Sequence, residues 1–575
     1  SNMNAYQPRT DDMAFILSEV LQAPAQLQAL STFAEVDPDL MRQVLDEAGK
    51  FVGEVIAPLN RDGDEIGARF EAGSVTMAPG FRDAYQAFWQ AGWPALACAA
   101  EDGGQGLPAV LEATLYEMLS GANHGWTMAP GLLHGAYECL KHHGSDELKA
   151  RYLGKIATGE WLATMCLTEP HAGSDLGLCR TKAVPRSDGS VHLSGTKIFI
   201  SGGEHDLSDN IVHLVLARLP DAPPGPKGLS LFLVPKFYAN GHRSAVVCER
   251  IEEKMGLHGS PTCVMRFDEA TAWIVGEPGK GLNAMFVMMN AARLHVALQG
   301  IGLLDAAWQK ADAYSKERRQ MRAPGARDTS LIQDHPAMRR ILDTQRAWID
   351  GGRVLAYRTA LELDLLKHHP DAGRRDAAQR WCSLVTPVMK AAFTHQAFYG
   401  ASECLQVFGG HGYVREWGIE QIVRDARVAM IYEGTNEIQA IDLLVRKVLP
   451  DGGAGLLSLL NELRADLDPS HAPDALALRQ FAALGELTLE LVEAAARDGA
   501  LAFWVADDYL RATALALLAW AWARIERTLA AEGADRARRW LPAARAMRHW
   551  VLPEFDMRTS IIRARCTASE AARTD

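Results

Sequence analysis

The stretch VHLSGTKIFI, residues 191–200, is the first of four short β-type runs in the middle of the chain. The others are IVHLVLA at 211–217, LSLFLV at 229–234 and CVMRF at 263–267, and clusters of Gly, Pro and Asp separate them. Runs of β-branched and aromatic residues bounded by turn residues are typical of strands. We therefore predict a small β-barrel or sheet domain over residues 162–277.

The segments on both sides of this domain have helical periodicity, as in Leu40 and Val44, which lie on one helix face. We predict an N-terminal helical arm over residues 1–38, a helical domain over 39–161 and a second helical domain over 278–450. The predicted fold class is therefore α+β.

Residues 451–575 differ in composition, with thirty Ala, fifteen Arg and no Lys. They begin with Asp451-Gly452-Gly453-Ala454-Gly455, which together with Pro450 we interpret as a linker. The uncharged apolar segment Ala512 to Ala523 is too short to span a bilayer and predicts a buried helix. We expect an additional Ala-rich helical domain here.

Composition and charge exclude several classes of protein. The 575 residues are 48% hydrophobic and 23% charged, as in ordinary globular proteins. Asp plus Glu (71) minus Lys plus Arg (59) leaves a net charge of -12, which gives no field to attract nucleic acid or an anionic membrane. Nine cysteines without a CxxC pair, and no signal-peptide pattern, favour a reducing compartment. We predict a cytoplasmic protein with no membrane span, no nucleic-acid partner and no metal site.

Three clusters carry residues suited to chemistry: TEPHAGSD at 168–175, KIFISGG at 197–203, and LQVFGGHGY at 405–413 followed by YEGTN at 432–436. In the first, a β-type run ends in a Gly/Ser turn whose hydroxyls, Thr168 and Ser174, can cradle a phosphate or the edge of a heterocycle. In the second, Phe199 and Ser201 are two residues apart and should share one face of a strand.

The third cluster contains Glu433. Gly434 allows close approach, and Thr435 or Asn436 can cap the following helix, which places the carboxylate just before a helix N-terminus. We predict that this helix is amphipathic, with one apolar face formed by Ile438, Ile441, Val445 and Val448. Each cluster alone is more often structural than functional, as a strand end, a Phe in a sheet or a Gly-Gly helix stop.

In this order, with an Arg-containing helix between the second and third clusters, the motifs resemble those of the acyl-CoA dehydrogenase family of flavoenzymes over about residues 40–450. The extra N-terminal arm and C-terminal domain are similar to those of the extended bacterial subgroup that contains 3-methylmercaptopropionyl-CoA dehydrogenase. The resemblance implies that residues 278–450 form a four-helix bundle. It also implies an FAD cofactor, an acyl-CoA substrate, an electron-transfer flavoprotein as acceptor, a homodimer and a role in fatty-acid β-oxidation.

By this resemblance Glu433 is the catalytic base, which removes the α-proton of the acyl thioester as a hydride leaves the β-carbon for the flavin, giving a trans-2-enoyl-CoA. Some members carry the base just before the arginine matched here by Arg293, where this sequence has Ala292. The resemblance assigns substrate contacts to Arg293, Tyr432 and Gly434.

The resemblance also implies a set of FAD contacts: Thr168, Ser174, Phe199, Ser201, Arg318, Gln406, Gly409, Gly410 and Thr435. Ser201 stands where a Thr is usual, and Phe199 where a Trp is frequent. Arg318, Gln406 and the two glycines match contacts to the adenosine half of an FAD held by the neighbouring subunit. After Gln320 the chain departs from the family's pattern, because Met321 replaces the usual Phe and a longer loop follows.

Two other functions stay open at this level. One is an acyl-CoA oxidase, which passes its electrons to oxygen and shares the motifs around the base. The other is a family relative that binds DNA through its C-terminal domain, but residues 451–575 carry eighteen acidic and fifteen basic side chains, whereas a DNA-contacting surface should be basic. The motifs leave the length and branching of the acyl chain undetermined.

Overall fold

The computed structural model describes residues 5–531 and 533–568, apart from the side chains of Val287 and Ala534. Short 3-10 and π-helical segments extend several of its helices. The α-helices within the described ranges are α1 (Thr10–Phe15), α2 (Ala23–Gln28), α3 (Pro38–Phe51), α4 (Asn60–Glu65), α5 (Phe81–Gln90), α6 (Ala109–Thr127), α7 (Leu133–His143), α8 (Asp146–Leu148), α9 (Gly154–Thr158), α10 (Gly281–Ser315), α11 (Pro336–His368), α12 (Ala372–Val407), α13 (Ile419–Ala426), α14 (Asn436–Ile441), α15 (Ala454–Ala465), α16 (Ala472–Arg497), α17 (Leu501–Ala530), α18 (Ala534–Ala546) and α19 (Glu554–Thr567).

The strands form a two-stranded hairpin and a seven-stranded sheet. They are β1 (Arg69–Glu71), β2 (Ser74–Thr76), β3 (Leu162–Cys166), β4 (Lys182–Pro185), β5 (Val191–Ser201), β6 (Ile211–Arg218), β7 (Leu229–Pro235), β8 (Val246–Ile251) and β9 (Thr262–Val275). In the large sheet β6, β4, β5, β9 and β7 are neighbours in that order, and β7 pairs again with β6. The sheet thus closes on itself, and the predicted α+β fold with a small central barrel is confirmed.

The four β-type runs correspond to β5, β6, β7 and β9. All of β7 is buried, and so is every residue of β6 except Arg218, which explains their continuous apolar sequences. The run at Cys263 continues eight residues beyond Phe267, because β9 passes through a bulge at Glu269 (φ 54°) and stays paired with β5. The hairpin β1–β2 lies inside the segment that we expected to be helical throughout.

The chain divides into two compact units. One unit consists of residues up to Lys50, Ala113–Gly121 and Val296 onward, and the other of Phe51–Glu112 and Ala122–His295. The second unit contains the barrel and most of the first helical region. The division into five domains proposed from the sequence stays a prediction.

A buried ionic network crosses the first unit. The guanidinium of Arg353 on α11 donates to Glu117 of α6 (2.9 Å) and to Asp305 of α10 (2.7 Å), and all three side chains are fully buried. The Tyr357 hydroxyl donates to Glu117 at 2.7 Å. Because a buried charge is costly unless it is paired, removal of one member would leave the others uncompensated.

The C-terminal helices α15–α19 belong to this same unit, and α17 packs on α11. Trp522 donates from its indole nitrogen to the Ala347 carbonyl at 3.0 Å. A Cβ at Gly351 would lie 2.8 Å from Leu518 Cδ2, so this contact requires glycine. Residues 512–523 of α17 are all buried, which confirms the predicted buried helix.

The segment interpreted as a linker is a tight turn. Gly452 and Gly453 have φ of 67° and 85°, and the Asp451 carboxylate accepts hydrogen bonds of 3.0 Å from the backbone N–H groups of Gly453 and Gly455. α15 begins at Ala454, inside this segment. The C-terminal helices are therefore joined to the preceding helix by a hydrogen-bonded turn.

Helix α10 is the one described helix whose length and composition would allow it to cross a membrane. Within its most apolar stretch of 18 residues, 59% is buried against the rest of the protein, and the core helices of soluble proteins have the same property. Length and composition alone are therefore weak evidence for a span.

Candidate active site

Glu433 lies on the short loop between the 3-10 turn Arg427–Met430 and helix α14. Its carboxylate side chain is half-buried, and its backbone is left-handed (φ 58°), as is that of Gly434 (φ 83°). The Thr435 hydroxyl accepts a hydrogen bond of 3.2 Å from the N–H of Ile438, so the cap is Thr435, one of the two predicted candidates, and not Asn436. The loop thus presents a carboxylate at a strained backbone position immediately before the cap.

Two buried side chains hold this loop. Lys390 of α12 donates to the Gly434 carbonyl (2.7 Å) and to Asn436 Oδ1 (3.0 Å). Gln439 donates from Nε2 to the carbonyls of Glu433 (3.1 Å) and Gly434 (3.2 Å). A Cβ on Gly434 would lie 2.9 Å from that amide nitrogen, so glycine is needed here for space as well as for its φ.

Tyr432 precedes the carboxylate and donates from its hydroxyl to Gln299 Oε1 on α10. Burial and the adjacent charge of Glu433 raise the pKa of Tyr432 well above its ordinary value. The phenol therefore stays neutral and keeps its role as a hydrogen-bond donor.

The prediction of a single apolar face on the helix that follows Glu433 is wrong in part. Ile438, Ile441 and Val445 are only half-buried, and Val448 alone of the four is buried. The buried residues include Gln439, Ala440, Leu443 and Leu444. Ile438 and Ile441 lie in α14 itself, where the buried residues are Gln439 and Ala440. Val445 lies in the π-helix that follows over Asp442–Val448, where the 3.6-residue period does not hold.

The first two clusters meet in the barrel unit. Ile198 of β5 donates its N–H to the Thr168 carbonyl at 2.8 Å, which brings Thr168 next to Phe199. Phe199 is 63% exposed and left-handed (φ 58°), at the point where the pairing of β5 with β9 shifts register between Lys197 and Ile200. The strand alternation behind the predicted shared face of Phe199 and Ser201 is therefore interrupted there, and Ser201 is half-buried. Ser174 is exposed six residues beyond Thr168.

A buried ion pair that was not predicted from the sequence joins these two clusters. Lys197 of β5 donates to Glu169 Oε2 at 2.7 Å and to the Leu167 carbonyl at 2.9 Å. Burial raises the pKa of Glu169, but the Lys197 charge and hydrogen bonds from Arg180 and Thr181 outweigh burial and hold that pKa below its ordinary value. The sequence gives no signal for this pair beyond the presence of both residues in motifs.

The residues matched to the adenosine contacts lie together in the other unit. Tyr314, one turn before Arg318, bonds through its hydroxyl to His411 Nδ1 (2.9 Å) and packs on Phe408 with ring centroids 4.4 Å apart. This brings the end of α10 to the FGGHG segment. Arg318, Gln406, Gly409 and Gly410 are all exposed. A Cβ at either glycine would meet nothing within 4 Å.

Arg293 is half-buried on α10, and the neighbouring Ala292 lines a narrow cleft in the barrel unit. The cleft is lined by Gly131, Leu132, Gly135, Met165, Met288, Ala291, Ala292 and His295. His295 Nε2 is 3.7 Å from the buried Glu112 carboxylate, which also lies 3.2 Å from His134 Nδ1. Burial opposes ionisation of Glu112, but the two imidazoles outweigh it and lower its pKa to about 2.

A larger cleft of about 940 Å³ follows the TEPHAGSD turn and carries the basic side chains Arg180, Lys182 and Arg218 in its lining. Arg218 is fixed by hydrogen bonds to backbone carbonyls, including Cys179 (2.7 Å) and Gly225 (2.9 Å). These basic residues were not singled out from the sequence. The rest of the lining is apolar apart from Asp175 at one end of the turn. No group of three or more metal-ligating side chains occurs in the described ranges.

Three family models match the chain in order: acyl-CoA dehydrogenase N-terminal domain at residues 39–160, middle domain at 164–270 and C-terminal domain at 279–448. The chain is 46% identical to 3-methylmercaptopropionyl-CoA dehydrogenase of Ruegeria pomeroyi over 78% of this chain and 77% of that protein. It is 36% identical to the broad-specificity linear acyl-CoA dehydrogenase FadE5 of Mycobacterium tuberculosis over 81% and 79%.

Solved structures share the whole architecture, including the C-terminal helices. Caenorhabditis elegans ACDH-11 in complex with C11-CoA superposes with a TM-score of 0.76 over 92% of this chain and 90% of that one, at 19% identity. An acyl-CoA dehydrogenase of Bacillus anthracis complexed with FAD gives 0.75 over 95% and 92%, at 21% identity. These two likenesses show the fold. Together with the family models and the sequence relatives, they establish that this chain belongs to the acyl-CoA dehydrogenase family.

Proposed function

We propose that the enzyme oxidises an acyl-CoA thioester to the trans-2-enoyl-CoA, with Glu433 as the base that removes the α-proton. The observation that carries this proposal is the placement of Glu433, a half-buried carboxylate on a left-handed loop whose backbone carbonyls are bonded by Lys390 and Gln439. A base must be held at a fixed position relative to the carbon acid to be effective.

FAD is the cofactor of this family, and the residues present fit it. Phe199 offers an exposed aromatic face beside Thr168, and glycines 173, 409 and 410 leave open space where a Cβ would stand. Thr168, Ser174, Phe199, Ser201 and Thr435 would hold the flavin and pyrophosphate, and Arg318, Gln406, Gly409 and Gly410 the adenosine half of the FAD in the partner subunit of a homodimer. The chemistry that FAD would supply when bound is an acceptor for the hydride that leaves the β-carbon.

The protein's part in the reaction is to make a weak carbon acid reactive. The thioester carbonyl must be polarised before a carboxylate can remove the α-proton, and we assign this to the backbone N–H of Glu433. The proton then resides on the Glu433 carboxylate, and the electron pair of the Cα–H bond forms the new double bond as the hydride departs. Arg293, Tyr432 and Gly434 are proposed to contact the substrate around this loop.

The substrate is proposed to be a short acyl-CoA, and 3-methylmercaptopropionyl-CoA is the first compound to test. The similarity to the R. pomeroyi enzyme supports this choice. We propose that the cleft whose lining includes Arg180 and Lys182 receives the phosphates of coenzyme A. An electron-transfer flavoprotein is the proposed acceptor, and oxygen is the acceptor to exclude.

The experiment is anaerobic stopped-flow bleaching of the flavin by a panel of acyl-CoA thioesters, followed by mixing of the reduced enzyme with air. Glu433→Gln should keep FAD but slow bleaching by two to four powers of ten, because the amide cannot accept the proton. A variant within ten-fold of the wild type would exclude Glu433 as the base. Rapid reoxidation by air would favour the oxidase.

A further inference from the structure

Lys390 is a lysine with no exposed surface, in the interior of the long helix α12. Lysines are seldom fully buried, because an ammonium group removed from water must have its donors satisfied. The Nζ of Lys390 donates to the Gly434 carbonyl at 2.7 Å and to Asn436 Oδ1 at 3.0 Å. Both acceptors belong to the loop that carries Glu433.

The same helix binds this loop at further points. Asn436 donates from Nδ2 to the Ala391 carbonyl (3.2 Å) and to Thr394 Oγ1 (3.0 Å). From the opposite side Gln439 reaches the same Gly434 carbonyl, which therefore accepts two hydrogen bonds. The peptide that follows Glu433 is thus fixed between α12 and α14.

This fixation matters because of the backbone conformation of Glu433. A non-glycine residue at φ 58° is in a sparsely populated region and stays there only where surrounding contacts impose it. The direction of the Glu433 side chain and of its N–H both depend on these dihedral angles. A contact that holds the next carbonyl therefore also aims the carboxylate.

We propose that Lys390 is a positioning residue for proton abstraction, which acts through the Gly434 carbonyl to keep Glu433 in its productive orientation. This inference rests on the proposed role of Glu433 as the base. Lys390 itself need not touch the substrate.

The chain offers a matched control in Lys447. Its Nζ donates to the Ser383 carbonyl of the same helix at 2.7 Å, again a lysine that joins the segment after the loop to α12. Pro387 has no N–H to offer that carbonyl, so Lys447 satisfies a group that the helix leaves unbonded. Lys447 also pairs with the Asp442 carboxylate at 2.9 Å, and this partner and Ser383 both lie outside residues 433–436, so Lys447 is a structural counterpart whose replacement should not affect the base.

The test compares Lys390→Met, Lys390→Gln and Lys447→Met as FAD-loaded enzymes, by anaerobic bleaching with 3-methylmercaptopropionyl-CoA or butyryl-CoA, whichever the wild type oxidises faster. For Lys390→Met we expect the limiting rate to fall by about ten- to a hundred-fold, because a small misplacement of a catalytic group has effects of this size, while FAD content and the Kd of the acyl-CoA change less than about two-fold. Lys390→Gln keeps a donor and should retain more of the rate. Lys447→Met should lower the Tm and leave the limiting rate unchanged.

A limiting rate of Lys390→Met within about two-fold of the wild type, or parallel losses of FAD, substrate affinity and rate, would overturn the inference. If Lys390→Met does not fold, Lys390→Gln decides by the same criteria. The double variant with Glu433→Gln separates this inference from the proposed function, since Lys390→Met should add little once the base is gone. If Glu433→Gln itself stays fast, the proposed function fails first.

Discussion

The Glu169 carboxylate accepts a hydrogen bond of 2.7 Å from the Lys197 ammonium group, and both side chains are almost wholly buried. The pair joins the turn that carries Thr168 to the strand whose end carries Phe199 and Ser201. Two motifs that are thirty residues apart in the sequence thus become one rigid surface. This surface is where we propose that the flavin ring binds.

Removal of one partner of this pair should damage that surface. Lys197→Met would leave the Glu169 carboxylate buried without its cation, at a cost of about 3–5 kcal/mol in the free energy of unfolding. We expect a lower Tm and loss of FAD during gel filtration. Glu169→Gln in the Lys197→Met background should recover part of the Tm, because it removes the uncompensated charge. Full flavin content in Lys197→Met would contradict the positioning role of the pair.

Arg318 and Gln406 should affect cofactor retention more than the chemical step. Both are exposed in the single chain, as expected if their ligand belongs to a partner subunit. We predict that Arg318→Ala and Gln406→Ala lower the ratio of FAD absorbance to protein absorbance after dilution, and that added FAD restores the bleaching rate. Arg446→Ala, which removes another exposed arginine, serves as the control. Unchanged occupancy in both variants would show that the two positions are assigned wrongly.

Stability should fall at mildly acidic pH because several imidazoles are buried, and His205 and His213 are the two with the lowest pKa. Burial lowers the pKa of His205 and of His213 to about 3, from an ordinary value of 6.5. The unfolded chain therefore binds more protons than the folded protein below pH 6.5, so folded stability decreases as the pH falls from 6.5 towards 3. Between pH 6.5 and pH 5 each imidazole contributes a loss of about 2 kcal/mol.

Urea unfolding at pH 7 and at pH 5 measures this loss. In the wild type, Nδ1 of His205 accepts a hydrogen bond of 3.2 Å from the N–H of Leu207. The variant His205→Asn keeps an acceptor for this N–H, but its side chain does not titrate. The difference in unfolding free energy between the two pH values should be smaller in this variant. An equal difference would mean that other groups cause the acid sensitivity.

Features that depend on neighbouring residues could be predicted from the sequence, whereas features that depend on partners distant in the chain could not. Strands β5, β6 and β7 were located within one residue at each end, because continuous apolar runs report local burial. The extension of β9 through Asp268 and Glu269 was missed because a bulge interrupts the alternation, and Val445 was placed on the wrong face because a π-helical segment changes the helical period. The roles of Lys390 and Lys197 could not be predicted, because the partners that allow each lysine to be buried are distant from it in the sequence.

The C-terminal helices provide the last prediction. α17 covers α11 and α12: Arg511 stacks on Trp348 with 4.8 Å to the ring centroid, and Trp520 packs on Trp381 with centroids 6.0 Å apart. We propose that helices α15–α19 occupy the surface that simpler members of the family use to form tetramers, so that this protein is a homodimer.

Light scattering on the full chain should therefore give a mass near two chains. A chain ending at Pro450 should aggregate or form a larger assembly, because it would lack α17 and would expose Trp348 and Trp381. Gly351→Val in the full chain is the milder version of this test, since its Cβ would lie 2.8 Å from Leu518 and 2.9 Å from the Trp522 indole nitrogen. This variant should have a lower Tm and a greater tendency to associate, whereas Gly499→Val, in an exposed turn where a Cβ would meet nothing within 4 Å, should change neither. A tetrameric full chain, or a truncated chain that stays a soluble and active dimer, would refute the covering role.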